Sequence, residues 1–321
     1  MRNLLLSIVL SAIYSFSYSQ SSSNFFTPAD SFNKARFWSL TGGVVATYGG
    51  TLLLLNEYWY KNYDRSEFHF FDDSKEWLQM DKAGHLFNSY FISNWGVQTY
   101  KWTGLNNKNA AIAGSVAGSF LLTTIEILDG YSPKWGASWT DLAANTVGSG
   151  LVLAQQLAWQ EQRILLKISA HAVHYPDDLR ARASELYGNT VAETILKDYN
   201  AITLWSSFNI HSFIPGENKF PPWLNIAFGY GAEGLYGGFE NKWCSNGHLS
   251  LDDCNPDELI NRTDILRYRQ LYFAPDIDLT RIKTNSRFLK ITFFLLNIIK
   301  VPAPTLEYNG SEGVKFHIIY F

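Results

Sequence analysis

Three segments of this chain decide its fold: MDKAGHLFNSYFISNWGVQTYKW (residues 80–102), AAIAGSVAGSFLLTTIEILDG (110–130) and SWTDLAANTVGSG (138–150). Each segment is largely apolar with helical spacing, and each carries ionisable or amide side chains near one end. Ionisable groups on apolar helices are costly unless they meet one another or water. The three segments therefore predict packed helices that share one polar cluster.

The first segment places a carboxylate next to a histidine. Asp81 and His85 are four residues apart and so lie on one helix face. A carboxylate beside an imidazole raises the pKa of the histidine and fixes its tautomer, as in a general base or a metal ligand. The structural alternative is that Asp81 caps the helix and His85 is an interior histidine with satisfied hydrogen bonds.

The other two segments supply further polar groups. Glu126 and Asp129 lie near the carboxyl end of a helix, where the dipole disfavours carboxylates and a compensating group is expected. Ser138 begins a capping-box-like start in which Asp141 either binds backbone N–H groups or joins the cluster. The catalytic candidates are His85, Glu126 and Asp141, and the substrate-binding candidates are Asp81, Lys82, Asp129, Ser138 and Asn145. No metal ligand set is assigned and no cofactor is identified, although a metal at the cluster is left as an alternative.

The chain divides into two unlike parts, and the predicted fold class is α+β. Residues 32–167 are predicted to form a four-helix unit, with helices at 38–60, 81–102, 109–128 and 138–166. Residues 168–200 are predicted to be a helical connector. Residues 201–321 form a β-rich, aromatic part, with strands predicted at 202–210, 223–230, 268–273, 276–282 and 314–321 and one apolar helix near 287–300.

Small residues in the helical part predict close helix packing. The glycines concerned are Gly42, Gly43, Gly49, Gly50, Gly114, Gly118, Gly148 and Gly150. Two apolar runs, 40–55 and 110–125, fall short of a full membrane span. They are consistent either with helices half-buried in a membrane or with an ordinary bundle core.

The first residues indicate export. Arg2, the apolar run 4–13 and the small residues before Gln20 are typical of a signal peptide, predicted over residues 1–19. Because this stretch has no cysteine, a lipid anchor is not expected there. Cys244 and Cys254 are predicted to form a disulfide, which fits an oxidising compartment. We expect a periplasmic or outer-membrane-associated protein.

The amino-acid composition limits the classes of binding partner that are expected. The 321 residues are 46% hydrophobic and 16% aromatic, with a net charge of −3. The chain lacks the basic excess of a nucleic-acid binder, so no nucleic acid is expected. Its aromatic content is typical of membrane interfaces and of lipid or glycan grooves, whereas a mean hydropathy of −0.11 argues against a polytopic membrane protein. The expected partners are an envelope membrane, a lipid or glycan, or an envelope protein.

The order Asp81-Lys82-x-x-His85, Glu126, Ser138-x-x-Asp141-x-x-x-Asn145-x-x-Gly148 resembles the YfiM-like family of predicted periplasmic lipoproteins over roughly residues 78–155. It is more distantly similar to the VanZ-like membrane proteins. Neither resemblance implies a settled activity. Residues 196–200, 267–270 and 302–304 look similar to the tail of larger envelope versions of the family.

Two functions remain. No P-loop, nucleophile elbow, zinc-protease or dinucleotide motif is present. We favour a noncatalytic envelope component in which the polar cluster locks helix packing, because no nucleophile or complete ligand set is identified. The alternative is an envelope lipid- or glycan-modifying enzyme with His85 as acid and base, oriented by Glu126 or Asp141. An open cleft at the cluster would support the enzyme, and a sealed interior would exclude it.

Overall fold

The computed structural model describes residues 27–58, 66–133, 135–190, 193–194, 197–216, 218–245 and 254–321. The predicted signal peptide lies outside the described residues. Within them, the predicted α+β class is confirmed, with seven α-helices and one antiparallel sheet of six strands.

Four long helices form the first part: α1 (Lys34–Tyr58), α2 (Met80–Trp102), α3 (Asn107–Asp129) and α4 (Trp139–Trp159). Helices α2 and α3 approach closely because Gly114 has no side chain. A Cβ there would lie 2.3 Å from the backbone nitrogen of Val97. Gly148 allows the same approach between α4 and α2.

The predicted packing role is wrong for five glycines. A Cβ added to them would meet nothing within 4 Å among the described residues, so their faces are open: Gly42, Gly43, Gly49, Gly50 and Gly150.

The six-stranded sheet has the order β1-β2-β3-β6-β7-β8 with every neighbouring pair antiparallel. Its strands are β1 (Ile164–Ala170), β2 (Ile202–Asn209), β3 (Leu224–Glu233), β6 (Tyr268–Ile277), β7 (Ala303–Asn309) and β8 (Gly313–Tyr320). A separate pair contains β4 (Lys242–Cys244) and β5 (Leu259–Asn261). The remaining helices are α5 (Asp177–Tyr187), α6 (Ile210–Phe213) and α7 (Arg287–Leu296).

The sequence prediction fails at the junction of the two parts. Helix was predicted to residue 166, but α4 ends at Trp159 because Gln160 adopts a left-handed conformation with φ 59°. The first strand then begins at Ile164, inside the predicted helical unit and connector. Its Lys167 is fully buried and pairs with Asp276 at 2.9 Å. A buried lysine needs such a partner, and only the sheet brings it near.

Two strand predictions also need correction. The runs 268–273 and 276–282 form one strand, β6, followed by a 3₁₀ turn at Leu279–Arg281. Strand β7 was not predicted, because Pro302 and Pro304 were interpreted only as the end of the preceding helix. That helix is α7, which ends at Leu296 instead of residue 300.

The two parts share one hydrophobic core. Phe87 and Val97 of α2 and Val152 of α4 pack in one cluster with Leu166 of β1 and Leu204 of β2. The helices therefore lie against the sheet, and α2 occupies the centre of the molecule.

One face of the sheet carries buried polar side chains, and the other face is apolar. The helices cover the apolar face at Leu166 and Leu204, and it is exposed farther along the sheet. Gln270, Asp276 and Glu307 occupy buried positions of β6 and β7. On the opposite face, the strand register aligns four exposed residues in one row: Phe228, Phe273, Leu306 and Phe316. Exposing such a row to water is unfavourable, so this face is suited to an apolar environment.

Cys244 and Cys254 form the predicted disulfide, with Cα atoms 5.7 Å apart. The predicted disulfide is therefore confirmed. The crosslink joins the end of β4 to the segment that leads into β5, while residues 246–253 lie outside the described part of the chain.

Among the described residues, one helix, α3, is long and apolar enough to cross a membrane. The core helix of a soluble protein passes the same test.

Candidate functional site

The ammonium group of Lys82 forms the centre of the polar cluster. It lies 2.5 Å from Asp73, 2.9 Å from Asp81 and 2.8 Å from Asp141, measured from Nζ to the nearest carboxylate oxygen. These carboxylates come from the segment before α2, from α2 itself and from the first turn of α4. One lysine therefore ties three parts of the chain together.

His85 is surrounded by carboxylates on both sides of its ring. Its Nδ1 lies 3.5 Å from Glu126 Oε1 and 3.2 Å from Asn145 Oδ1. Its Nε2 lies 3.8 Å from both Asp81 Oδ1 and Asp141 Oδ2. An imidazolium can direct one N–H toward each side, so this arrangement favours the protonated ring.

The capping alternatives are resolved by the geometry. Ser138 is the N-cap of α4, and its Oγ accepts a hydrogen bond from the backbone N–H of Asp141 at 3.1 Å. The carboxylate of Asp141 is therefore free to pair with Lys82. Helix α2 begins after Gln79, which makes no side-chain cap, so Asp81 is not the cap either.

The carboxylates at the end of α3 find separate partners. Glu126 accepts a hydrogen bond from the backbone N–H of Ser138 at 3.3 Å and faces His85. Asp129 accepts a hydrogen bond from the indole N–H of Trp135 at 2.6 Å. Glu126 is thus part of the cluster, whereas Asp129 lies beside it.

Sequence reasoning missed several residues of the site. Asp73 binds Lys82 and also accepts hydrogen bonds from Ser138 Oγ at 2.6 Å and Thr140 Oγ1 at 3.0 Å. Tyr199 donates its hydroxyl to Asp81 Oδ1 at 2.8 Å. Nothing in the local sequence marks Asp73. The resemblance over residues 196–200 was the one signal that pointed toward Tyr199.

The cluster faces a cavity of about 580 Å³ between the helical unit and the connector. Its wall includes Asp73, Glu76, Trp77, Asp81, His85, Glu126, Asp129, Trp135, Asp141 and Tyr199. The side chains of His85 and Asp81 are 21% and 23% exposed, whereas those of Glu126 and Asp141 are 4% and 5% exposed. The histidine and Asp81 therefore meet the cavity, and the other two carboxylates support them from behind.

Burial shifts the acid–base properties of these groups. It raises the pKa of Glu126 to about 7 and that of Asp141 to about 6, although the nearby His85 opposes both shifts. The pKa of Glu76 is also raised to about 7 by burial, reinforced by the surrounding carboxylates. Burial lowers the pKa of His85, but Asp81, Asp141 and Glu126 outweigh it and the net shift is upward. Glu76, Glu126 and Asp141 therefore hold their protons to higher pH than ordinary carboxyl groups do.

A left-handed turn leads into the site. Trp77, Leu78 and Gln79 have φ values of 50°, 50° and 67°, a region that side chains other than glycine rarely adopt. The backbone N–H of Trp77 donates to the carbonyl of Gly238 at 2.8 Å, and Gln79 Nε2 donates to the carbonyl of Ser74 at 2.9 Å. Strain of this kind persists where surrounding contacts fix it, and here it places Trp77 at the cavity wall.

Asp81, His85 and Asp141 offer ligand atoms within 4.8 Å of one another, a spacing that could hold a metal ion. Lys82, however, already forms ion pairs with two of these three side chains. A divalent cation would have to compete with its ammonium group. The donor set therefore fits proton transfer better than metal ligation.

The eight predicted site residues fall into two groups. Asp81, His85, Glu126, Asp129 and Asp141 line the cavity. Lys82, Ser138 and Asn145 contact the lining residues and are not part of the wall, and Ser138 and Asn145 are almost completely buried. The predicted convergence is therefore observed, while the catalytic and substrate-binding roles stay predictions.

Residues 67–156 match a family model described as a predicted periplasmic lipoprotein (DUF2279). The matched range runs from the segment before α2 through most of α4 and contains all three polar motifs. The family description agrees with export to the periplasm. No curated protein and no solved structure matches the chain.

Proposed function

We propose that this protein is an exported, membrane-associated hydrolase that acts on the saccharide part of an envelope glycan or glycolipid. The observation that carries the proposal is the position of His85, which faces the cavity while three carboxylates surround its ring. Histidine with a raised pKa is a suitable general acid near neutral pH.

The geometry supports a division of roles. The imidazolium of His85 would donate its proton to the leaving oxygen, and Asp81 would accept a proton from the attacking water. Asp81 Oδ1 lies 3.8 Å from His85 Nε2, so one bridging water would return the proton to the histidine after each turnover. Glu126 and Asp141 would stabilise the imidazolium. Water is the nucleophile in this proposal, and the described residues of the cavity wall include no serine, threonine or cysteine.

Aromatic side chains in the cavity wall support a saccharide substrate. Trp77, Trp135 and Tyr199 line it beside the acid–base pair. Aromatic rings combine an apolar face with a polar edge, a combination suited to stacking on a sugar ring and hydrogen-bonding its hydroxyl groups.

Exposed apolar surfaces support membrane association. The row of Phe228, Phe273, Leu306 and Phe316 on the sheet is one such surface. Helix α3 adds an outward stripe of Ile112, Val116 and Phe120 at four-residue spacing. Contiguous apolar patches of this kind mark contacts with membranes or partners. The resemblance of the motifs to YfiM-like and VanZ-like proteins agrees with a place at the envelope.

A noncatalytic role is the second candidate, and the ion pairs of Lys82 favour it. One ammonium group that binds carboxylates from three parts of the chain would lock their packing. In that case the cluster would stabilise the fold without reacting.

The test is incubation of the purified protein with extracted envelope glycans and glycolipids, followed by mass spectrometry of the products. Wild type should release a hydrolysis product, and His85→Gln should not, while its melting temperature and cellular abundance stay normal. A metal chelator should leave the activity unchanged. If no extract yields a product and His85→Gln lowers the cellular abundance of the protein, the hydrolase proposal is wrong and the noncatalytic role is favoured.

A further inference from the structure

Helix α7 and the loop before it form a basic, apolar segment. Between Asp278 and Glu307 the sequence contains five basic residues and no acidic residue: Arg281, Lys283, Arg287, Lys290 and Lys300. Four of these five precede or begin the apolar helix. The segment therefore concentrates positive charge beside apolar side chains.

One apolar face of α7 points away from the protein, whereas Phe294 on the other side contacts Trp95 of α2. None of its ten residues is buried, and Phe288 is 75% exposed. Ile291 and Leu295 are also exposed and share a face with Phe288, because they follow it by three and seven residues. A helix that packs mainly against its own protein would bury this face.

The helix is nevertheless held firmly at both ends. Ser286 caps its first turn by accepting a hydrogen bond from the backbone N–H of Leu289 at 3.3 Å. At the other end, buried Asn297 accepts from the backbone N–H of Leu279 at 2.8 Å and donates to Asp278 Oδ1 at 3.0 Å. Its outward face is thus presented by a fixed structure.

Two of the basic side chains are exposed without an acidic partner. Among the described residues, neither Lys283 nor Lys290 lies in an ion pair, whereas Arg281 pairs with Glu161 and Asp278. Their ammonium groups therefore remain available to an external anion.

We propose that α7 docks on the anionic head-group surface of a membrane, with Phe288, Ile291 and Leu295 inserted and Lys283 and Lys290 at the phosphates. Charge complementarity selects this occupant, because an apolar face flanked by basic residues is typical of helices that lie in a membrane interface. The proposal deepens the membrane association proposed above, and it is independent of the hydrolysis.

The test is flotation of the purified protein with phosphatidylcholine vesicles that contain or lack phosphatidylglycerol. Wild type should bind the anionic vesicles more tightly, and added salt should weaken that binding. Lys283→Glu/Lys290→Glu should lower binding to anionic vesicles roughly tenfold or more. Phe288→Asp should lower binding to both kinds of vesicle without changing the melting temperature, because this side chain is largely exposed.

Lys108→Glu/Lys219→Glu is the matched control, since it makes the same change in net charge at two exposed lysines outside the segment. It should retain the preference for anionic vesicles. An equal loss of vesicle binding in both double variants would overturn the proposal. Equal binding of wild type to both kinds of vesicle would also overturn it, but would leave membrane association by another surface intact. If the wild-type protein is a dimer in lipid-free buffer and Phe288→Asp dissociates it, the partner of the exposed face of α7 is a second copy of this chain, and the membrane proposal is wrong. None of these outcomes depends on the His85 assay.

Discussion

Nδ1 of His85 lies 3.5 Å from Oε1 of Glu126, although the two residues belong to different helices. Glu126 is buried near the end of α3, and both it and His85 line the cavity. The protonation of each group therefore depends on that of the other: Glu126 raises the pKa of His85, and His85 opposes the rise that burial causes in the pKa of Glu126.

The stability of the protein should fall as the pH rises from about 4.5 to about 7. The pKa of Glu126 is raised from 4.5 to about 7, so the folded state binds more protons than the unfolded chain in this interval. Glu76 contributes in the same direction. Chemical denaturation at a series of pH values measures the effect.

The variant Glu126→Gln should show a smaller loss of stability across that interval. Glu67→Gln removes an exposed carboxyl and is the control for the loss of one charge. The interval from pH 5 to pH 7 lies within the range between the ordinary and the raised pKa of Glu126. A wild-type protein that becomes more stable as the pH rises through this interval would contradict the prediction.

Lys82→Met should destabilise the protein by about 3–5 kcal/mol, because it leaves three largely buried carboxylates without their counter-charge. Lys242→Met removes a lysine from a more exposed pair with Glu240 and should cost less than about 1 kcal/mol. Urea titration of both variants tests the difference. Similar costs for the two substitutions would mean that the cluster does not depend on Lys82.

Gly148→Ala should lower the melting temperature, whereas Gly150→Ala should leave it unchanged or raise it. A Cβ at position 148 would lie 2.3 Å from the carbonyl oxygen of Leu86, and a Cβ at position 150 meets nothing within 4 Å. Alanine otherwise stabilises a helix by about 1 kcal/mol relative to glycine. Equal shifts in thermal unfolding of the two variants would refute the close packing of α4 on α2.

Replacing Cys244 and Cys254 with serine should lower the stability by about 2–3 kcal/mol, because their disulfide closes a short loop. Thiol labelling of the unfolded, nonreduced wild type should detect no free cysteine. Labelling of both thiols would show that the crosslink does not form in the exported protein.

Most helices and most polar residues of the site could be predicted from the amino-acid sequence alone, whereas β1 and β7 could not. Helical spacing predicted α2, α3 and the start of α4 to within a few residues, whereas the end of α4 was predicted too late, at residue 166 instead of Trp159. The polar residues at the ends of these helices were predicted to converge because antiparallel neighbours joined by a short loop bring their ends together. This inference needs only local periodicity and chain direction.

The groups that complete the site, and the face of the sheet that is buried, become evident in the folded structure and not in the local sequence. Asp73 and Tyr199 reach the cluster from outside the predicted motifs, and no local pattern marks such contacts. Lys167 appeared to belong to a helix until the sheet supplied Asp276 as its partner. The apolar row on the exposed face depends on the register of strands that are distant in sequence. Alternation shows only that a strand has two faces. The pairing of strands that are distant in sequence buries the polar face with Lys167 and Asp276, whereas the helices contact the opposite, apolar face through Leu166 and Leu204.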